Sequence, residues 1–465
     1  MFNHFRNLFD QPVFRYATAL FIFSLTVNLV FFNWTEAPII YPDSHGYIKP
    51  AVQLKQGRLP DFSLRSPTYP MYLVVMGFFG KIVNGSPLKL AVYGQILLGA
   101  IAIVLLYLTC LELLKSERLA FAVAVLLSLN FQVINYQSAV LTETLATTLL
   151  MAVLYAHIAA LHRKITLKRL CGMVTVDALL VMLRPNFVLL PSTLYVLHVL
   201  YILANSGTRA GRADSASRSI SFVVLGVSCN LALVATWGTF FFLHTGYVGL
   251  SRTSDFNLLG KAIQYGYLDQ HYPNPPRIVQ RTHEIYRQVE RNQDPYSVIN
   301  PLRTEGLYSM GNLRSINSYF LGGRSVDFVI KTVQLLPVVL NKRSPFSYGR
   351  PNGSHQNPWL QRIFRGFDLP NTLNGKAIVF AGGLALYLLI KNRREQVIAL
   401  IMILSTVFYH LVAITAFGYS EYPRLRSPID LLLNVLVLLP LLLLALAVGS
   451  ARRARCRGPS QERTV

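Results

Sequence analysis

The chain is 465 residues long, 52% hydrophobic and only 14% charged, with a mean hydropathy of +0.40. Several apolar runs approach or exceed the roughly 18 residues that mark a bilayer-crossing helix, which excludes a soluble globule and leaves a polytopic, all-α membrane protein. The formal net charge of +23 does not point to nucleic acid, because the cations fall in short clusters between apolar runs, as Lys and Arg do in cytoplasmic loops.

The apolar runs, in chain order, are 13–32, 68–84, 91–113, 119–136, 141–161, 168–183, 186–204, 219–243, 376–390, 396–416 and 428–449. The first follows a short basic segment, with Arg6 before it and Arg15 at its start, and is too long for the apolar region of a cleavable signal, so it reads as a spanning helix. Basic clusters occur at Lys115 and Arg118, at 163–169, at 209–218, at 391–394 and at 452–457. All of them reach one side only if 68–84 does not cross, so that run is expected to be an interfacial or re-entrant helix. About ten spanning helices remain, with both chain ends cytoplasmic. The same parity keeps 326–340, which carries Asp327, Lys331 and Pro337, on the membrane surface. The four cysteines show no metal or redox spacing and read as small core residues.

Two large loops then lie outside. The first spans about 33–90. The second, 244–375, is far longer than an ordinary connection, and its PPRIVQRTHEIYRQVERN places Ile278, Ile285 and Val289 at helical spacing. The expected organisation is an N-terminal transmembrane module (1–243), an outer cap (244–375), C-terminal spanning helices (376–450) and a basic tail (451–465).

The polar residues of this outer side carry the functional signal. Asp43, in YPDSHGY, follows the first spanning run and sits about ten residues past the hydrocarbon edge, where a carboxylate costs far less than at mid-bilayer. Arg65 follows in RSPTYP. Glu143 opens the helix after SAVLT, Arg184 lies in LRPNF, and the last outer loop, GYSEYPRLRSP, carries Glu421, Arg424 and Arg426. Carboxylates beside arginines at a membrane edge suit transfer from a phosphate leaving group to a hydroxyl. The carboxylate accepts the acceptor proton, and guanidiniums bind the phosphate through paired hydrogen bonds. The chain has no glycine-rich nucleotide fingerprint after a strand and no P-loop.

Each residue also has a structural reading. Asp43 suits the start of a loop helix, and Glu143 complements a helix dipole. Arg65 and Arg424 could anchor lipid phosphates. Asp177, inside run 168–183, reads equally as the mark of a polar pathway or as a partner of His157 or His198 in interhelical glue, and is given no role.

The acidic residue after the first spanning run, followed by RSPTYP, resembles the first-loop signature of GT-C glycosyltransferases, and most closely the branch of protein O-mannosyltransferases and lipid A aminoarabinose transferases. Thr142-Glu143, RPNF and YPRLRSP are similar to further outer-face motifs of that branch. The resemblance covers about the first 200 residues and the last outer loop; 244–375 resembles nothing nameable. It implies a GT-C-like bundle that moves a sugar from a polyprenyl-phosphate donor, with inversion, to a lipid, glycan or protein hydroxyl. Asp43 would be the base and Glu143 would orient the acceptor or help ligate a cation. Arg65, Arg184, Arg424 and Arg426 would bind donor phosphate, and His45, Tyr47, Tyr69 and Glu421 would contact acceptor or sugar. Some relatives use a divalent cation on paired acids; here Ser44 and His45 follow Asp43 in place of an Asp-x-Asp pair, so no metal ligands are assigned. The expected setting is a bacterial cytoplasmic membrane, with the site on the non-cytoplasmic face. The competing readings are a secondary transporter or flippase of a lipid-linked or anionic solute, and a non-catalytic scaffold.

Overall fold

A computed structural model describes residues 11–35, 38–163, 165–206, 213–270, 274–290, 295–341, 375–392, 396–418 and 422–456. The chain opens with α1 (Pro12–Thr35), whose 24 residues at about 1.5 Å each exceed the roughly 30 Å hydrocarbon core. The first loop carries α2 (His45–Lys55) and α3 (Thr68–Ile82). α3 has only 15 residues and turns Met71, Val75, Phe78, Phe79 and Ile82 outward along one stripe, while Tyr69, Leu73, Gly77 and Gly80 are buried. Its opposite side lies on α4 (Pro87–Leu114), which Tyr72 grips through Ala91 O at 2.5 Å. At 15 residues α3 is too short to span, which is the part of the expectation for 68–84 that helix length bears on.

The expected span 119–136 is interrupted. It forms α5 (Glu117–Ser128) and α6 (Phe131–Gln137), because the Asn130 side chain accepts from Val133 N at 3.1 Å and starts a new helix. There follow α7 (Glu143–His162), α8 (Leu167–Leu183), α9 (Leu190–Ser206) and α10 (Ala213–Thr245). Beyond the cap come α16 (Gly375–Asn392), α17 (Val397–Phe417), the short α18 (Tyr422–Arg426) and α19 (Asp430–Cys456). Among the described residues, seven helices are long and apolar enough to cross a bilayer: α1, α4, α7, α9, α10, α17 and the one ending the chain. The other three expected spans are the broken α5–α6, the 17-residue α8, and α16 with lysines at both ends.

Chain alternation gathers the C-terminal ends of α1 and α8 with the N-terminal ends of α7 and α18. At the far end of α4 and α7, Lys115 and Arg163 both approach Glu112, at 2.6 and 3.6 Å. Two of the basic clusters therefore lie at the end opposite Asp43, about 30 Å away along the 20 residues of α7. The main core joins Leu106, Leu154, Leu190, Met402, Leu432 and their neighbours across α4, α7, α9, α17 and α19.

The 244–375 loop supplies α11 (Thr253–Gln264), α12 (Arg277–Gln288), α13 (Pro295–Thr304), α14 (Met310–Leu321) and α15 (Ser325–Asn341). They share a core of Leu259, Ile263, Val279, Ile285, Leu302 and Phe320. α12 buries Val279, Thr282, Ile285 and Tyr286, so the predicted amphipathic helix is present, though it stops before Val289. α15 exposes Val326, Val329, Ile330 and Val333 on one side and buries Thr332, Val339 and Leu340 on the other.

Candidate active site

One backbone pairing sets the site. Ile39 N donates to Ser138 O at 2.9 Å and Val140 N to Ile39 O at 3.0 Å, an isolated parallel bridge that ties the first loop to the turn before α7. It lies four residues before Asp43 and three before Glu143, so both acids are delivered to one place. A tight turn holds Asp43 there: Tyr41 N donates to Ser44 Oγ and Ser44 N to Tyr41 O, both at 2.9 Å.

Asp43 is gripped by two arginines. Its Oδ1 lies 2.6 Å from Arg65 Nη2, and its Oδ2 accepts from Arg424 Nη2 at 2.6 Å. Arg65 runs past Gly46, where a Cβ would come within 3.2 Å of its Nε, and its guanidinium lies 5.0 Å over the Tyr47 ring. The start of the 244–375 segment fixes the Arg65 segment: Arg252 N donates to Ser63 O at 2.9 Å, and Ser251 and Thr253 hydroxyls donate to Leu64 O at 3.1 and 2.6 Å.

Glu143, the first residue of α7, is almost fully buried. Its Oε1 is 2.7 Å from Arg184 Nη2 and 3.4 Å from Arg424 Nε, and its Oε2 makes no hydrogen bond. Arg184 also donates from Nε to Thr142 Oγ1 at 2.9 Å. The result is a continuous row, Arg65–Asp43–Arg424–Glu143–Arg184, drawn from five segments of the chain. Among the described residues, the three guanidiniums of the row face two carboxylates, a balance that favours an anion. Burial pushes the Asp43 carboxyl up, but Arg65 and then Arg424 outweigh it and hold its pKa below the ordinary value.

Other expected site residues are placed differently. Arg426 is fully buried: Nε bonds Asp430 Oδ1 at 2.9 Å, and Nη1 donates to Val339 O and Leu340 O at 3.1 and 2.7 Å. It ties α19 to the end of α15, and the expected phosphate contact is withdrawn. On one helical turn, residues two apart point about 200° from each other, so Arg424 faces the row and Arg426 the core. Tyr69 is likewise buried, donating to Gln95 Oε1 at 2.5 Å, while Gln95 Nε2 donates to Gln137 O and Ala139 O at 2.9 and 2.7 Å. Its ring stands edge-on beneath Tyr47 at 5.0 Å, a support for the Arg65 platform rather than a substrate contact. His45 is exposed at the start of α2. Glu421 lies outside the described residues.

The described residues of the row do not fit a divalent cation. Asp43 and Glu143 are separated by the Arg424 guanidinium, an incoming cation would meet three arginines, and no group of three metal-ligand side chains exists among the described residues. Asp177 is buried inside the bundle, 3.6 Å from His157 Nε2 and 3.4 Å from Asn230 Nδ2, the geometry of the interhelical alternative.

Thr142, read in the sequence only as half of a Thr-Glu pair, steers Arg184. One contributor escaped the sequence reading. Lys261, on the buried side of α11, contacts Tyr422 at the head of the Arg424 turn. Its signal was a cation among Leu259, Ala262 and Ile263.

No protein-family profile matches the sequence, and neither does any curated protein. Among solved structures, the chain is similar to the oligosaccharyltransferase AglB of Archaeoglobus fulgidus in complex with an inhibitory peptide and a dolichol-phosphate. The TM-score is 0.50 at 13% identity, over 97% of this chain and 52% of that one. Two further A. fulgidus oligosaccharyltransferase structures, one without ligand and one tethered to an acceptor peptide, give TM-scores of 0.47 and 0.49 at 15% and 13% identity. They cover 95% and 98% of this chain and 52% of theirs. The chain spans about half the length of these proteins. What it shares with AglB, at that identity, is the fold: an all-α, GT-C-like membrane bundle.

Proposed function

We propose that the protein is a membrane glycosyltransferase that moves a sugar from a polyprenyl-phosphate donor to an acceptor hydroxyl, with inversion, on the non-cytoplasmic face of a bacterial cytoplasmic membrane. The observation that carries this reading is the row of three arginines and two carboxylates at one end of the bundle. The GT-C-like fold, and an oligosaccharyltransferase of that fold complexed with a dolichol-phosphate, support it.

The donor phosphate binds Arg65 and Arg424, the two groups that grip Asp43 in the free protein. As the phosphate takes these cations, Asp43 is released, its proton affinity rises, and it becomes able to act as a base. The acceptor oxygen attacks the anomeric carbon while the bond from that carbon to the phosphate oxygen breaks. The hydroxyl proton passes to Asp43, and the arginines stabilise the charge on the departing polyprenyl phosphate. Glu143 keeps Arg184 and Arg424 aligned. The bundle end bearing Lys115 and Arg163 is cytoplasmic in this reading, so the site lies on the other side.

A panel of polyprenyl-phosphate sugars given to the purified protein tests the proposal. Polyprenyl phosphate should be released only when an acceptor hydroxyl is supplied. Movement of the intact lipid-linked solute across a vesicle membrane without bond cleavage would instead establish the transporter reading.

A further inference from the structure

Among the described residues, Lys261 is the one lysine that is completely buried. Its Nζ donates to Gln264 Oε1 at 3.1 Å and to the Tyr422 hydroxyl, which in turn donates to Gln264 Oε1 at 2.9 Å. The ammonium also lies 4.7 Å from the Tyr422 ring centroid and 5.7 Å from that of Tyr265. No carboxylate forms an ion pair with it among the described residues. Asp255, on the same helix, is bound by Tyr247 and by Asn317 Nδ2 at its backbone oxygen. Titratable groups on neighbouring elements are engaged elsewhere: Arg314 over Tyr247, Arg303 over Tyr308, His410 on Leu425 O, and Lys331 on Tyr265 O.

A buried cation without an anion is costly, and it is kept where its charge or its bonds matter. Here the bonds reach Tyr422, the first residue of α18, and Arg424 is two residues further on. The turn is held from the bundle side by His410 at Leu425 O (2.8 Å) and by Ser427 Oγ at Arg424 O (2.8 Å). Lys261 and Gln264 hold it from the cap side.

We propose that Lys261 is a positioning residue for the donor site: through Tyr422 it fixes the turn that presents Arg424, and its charge favours the anion bound there. The inference rests on the reading of the arginine row as a donor-phosphate site. Burial lowers the Lys261 pKa to about 7, so the residue passes from charged to neutral within the physiological range. Donor affinity should fall as pH rises through that value.

The test is equilibrium binding of a polyprenyl-phosphate sugar to the full-length protein in lipid nanodiscs between about pH 6 and 9. This probe is a phosphodiester with no titration near neutrality. Wild-type affinity is expected to drop by about three- to tenfold across a midpoint near 7. Lys261→Met should bind weakly with no pH step, and Lys261→Arg should bind tightly with none. The kcat at saturating donor should be similar in all three, so that the effect appears in KM. Tyr422→Phe, which keeps the ring and removes one acceptor of the ammonium, should move the midpoint to lower pH; it serves if Lys261→Met does not fold. An unchanged affinity and midpoint in Lys261→Met, or an unmoved midpoint in Tyr422→Phe, overturns the proposal alone. Wild-type protein that binds no such donor overturns the donor reading and this inference with it.

Discussion

Replacing Asp43 by Asn should separate binding from chemistry in opposite directions. In the free protein the Asp43 carboxylate holds Arg65 and Arg424, each at 2.6 Å, and a phosphate that takes these arginines must displace it. A hydrogen bond to a charged group contributes about 1.5–3 kcal/mol. Asp43 is a little over a quarter exposed, so solvent screening reduces that figure, and Asn retains one acceptor oxygen. Relief of competition is therefore worth about 1–2 kcal/mol, or roughly 5- to 30-fold tighter binding of a polyprenyl phosphate. Turnover should fall by about 10²-fold or more, the usual contribution of a positioned acid or base. Isothermal titration with polyprenyl phosphate and a turnover assay on the same preparation give both numbers. Asp61→Asn is the control, since its Oδ1 can still accept from Ser63 N. An Asp43→Asn protein that binds more weakly, or turns over normally, would refute the reasoning.

Arg65→Ala and Arg424→Ala should each weaken donor binding by about tenfold or more, because charge-assisted phosphate contacts are lost; unchanged binding in a titration would remove them from the donor site. Arg426→Met should act on stability instead, since it leaves Asp430 buried without its partner, at a cost of about 3–5 kcal/mol that a thermal melt would register as a lower Tm. The clamp on Asp43 also has a pH signature. Its folded pKa is depressed, so its contribution to stability is present above the ordinary carboxylate pKa and is lost as pH falls through the folded value, as thermal melts in acid should record. Cysteines placed at Ser116 and Thr166 should resist membrane-impermeant labelling from outside, and strong labelling of either would reverse the assigned orientation.

Much of the bundle was legible because apolar run length and the placement of cations are direct consequences of the bilayer. The 68–84 run, expected to be interfacial or re-entrant, forms a 15-residue helix that reaches only about 22 Å, short of a bilayer core. The interruption at Asn130 was not read, because an N-cap inside an apolar run resembles any tolerated polar residue until its side chain is seen to bond Val133 N. At the site, Asp43, Glu143, Arg65, Arg184 and Arg424 were all legible as polar residues at the ends of apolar runs or in the loops between them. Their joining into one row was not, because it depends on the Ile39–Ala139 bridge and on contacts between residues as far apart as Asp43 and Arg424. YPRLRSP gave no means of choosing between Arg424 and Arg426, since both are arginines on the same turn; only its rotation sends one to the row and the other to Asp430. Lys261 and Tyr69 show the opposite limit. Each is polar and near functional segments, and burial alone decides what each can touch.

The most direct measurement is the carbon NMR spectrum of a donor labelled at the anomeric carbon, taken after incubation with the protein and an acceptor alcohol. The account predicts a new glycosidic signal of inverted configuration, together with free polyprenyl phosphate and no signal change with Asp43→Asn. A donor signal that persists unchanged with the wild-type protein, or a product of retained configuration, would contradict single-displacement transfer at the Asp43–arginine row.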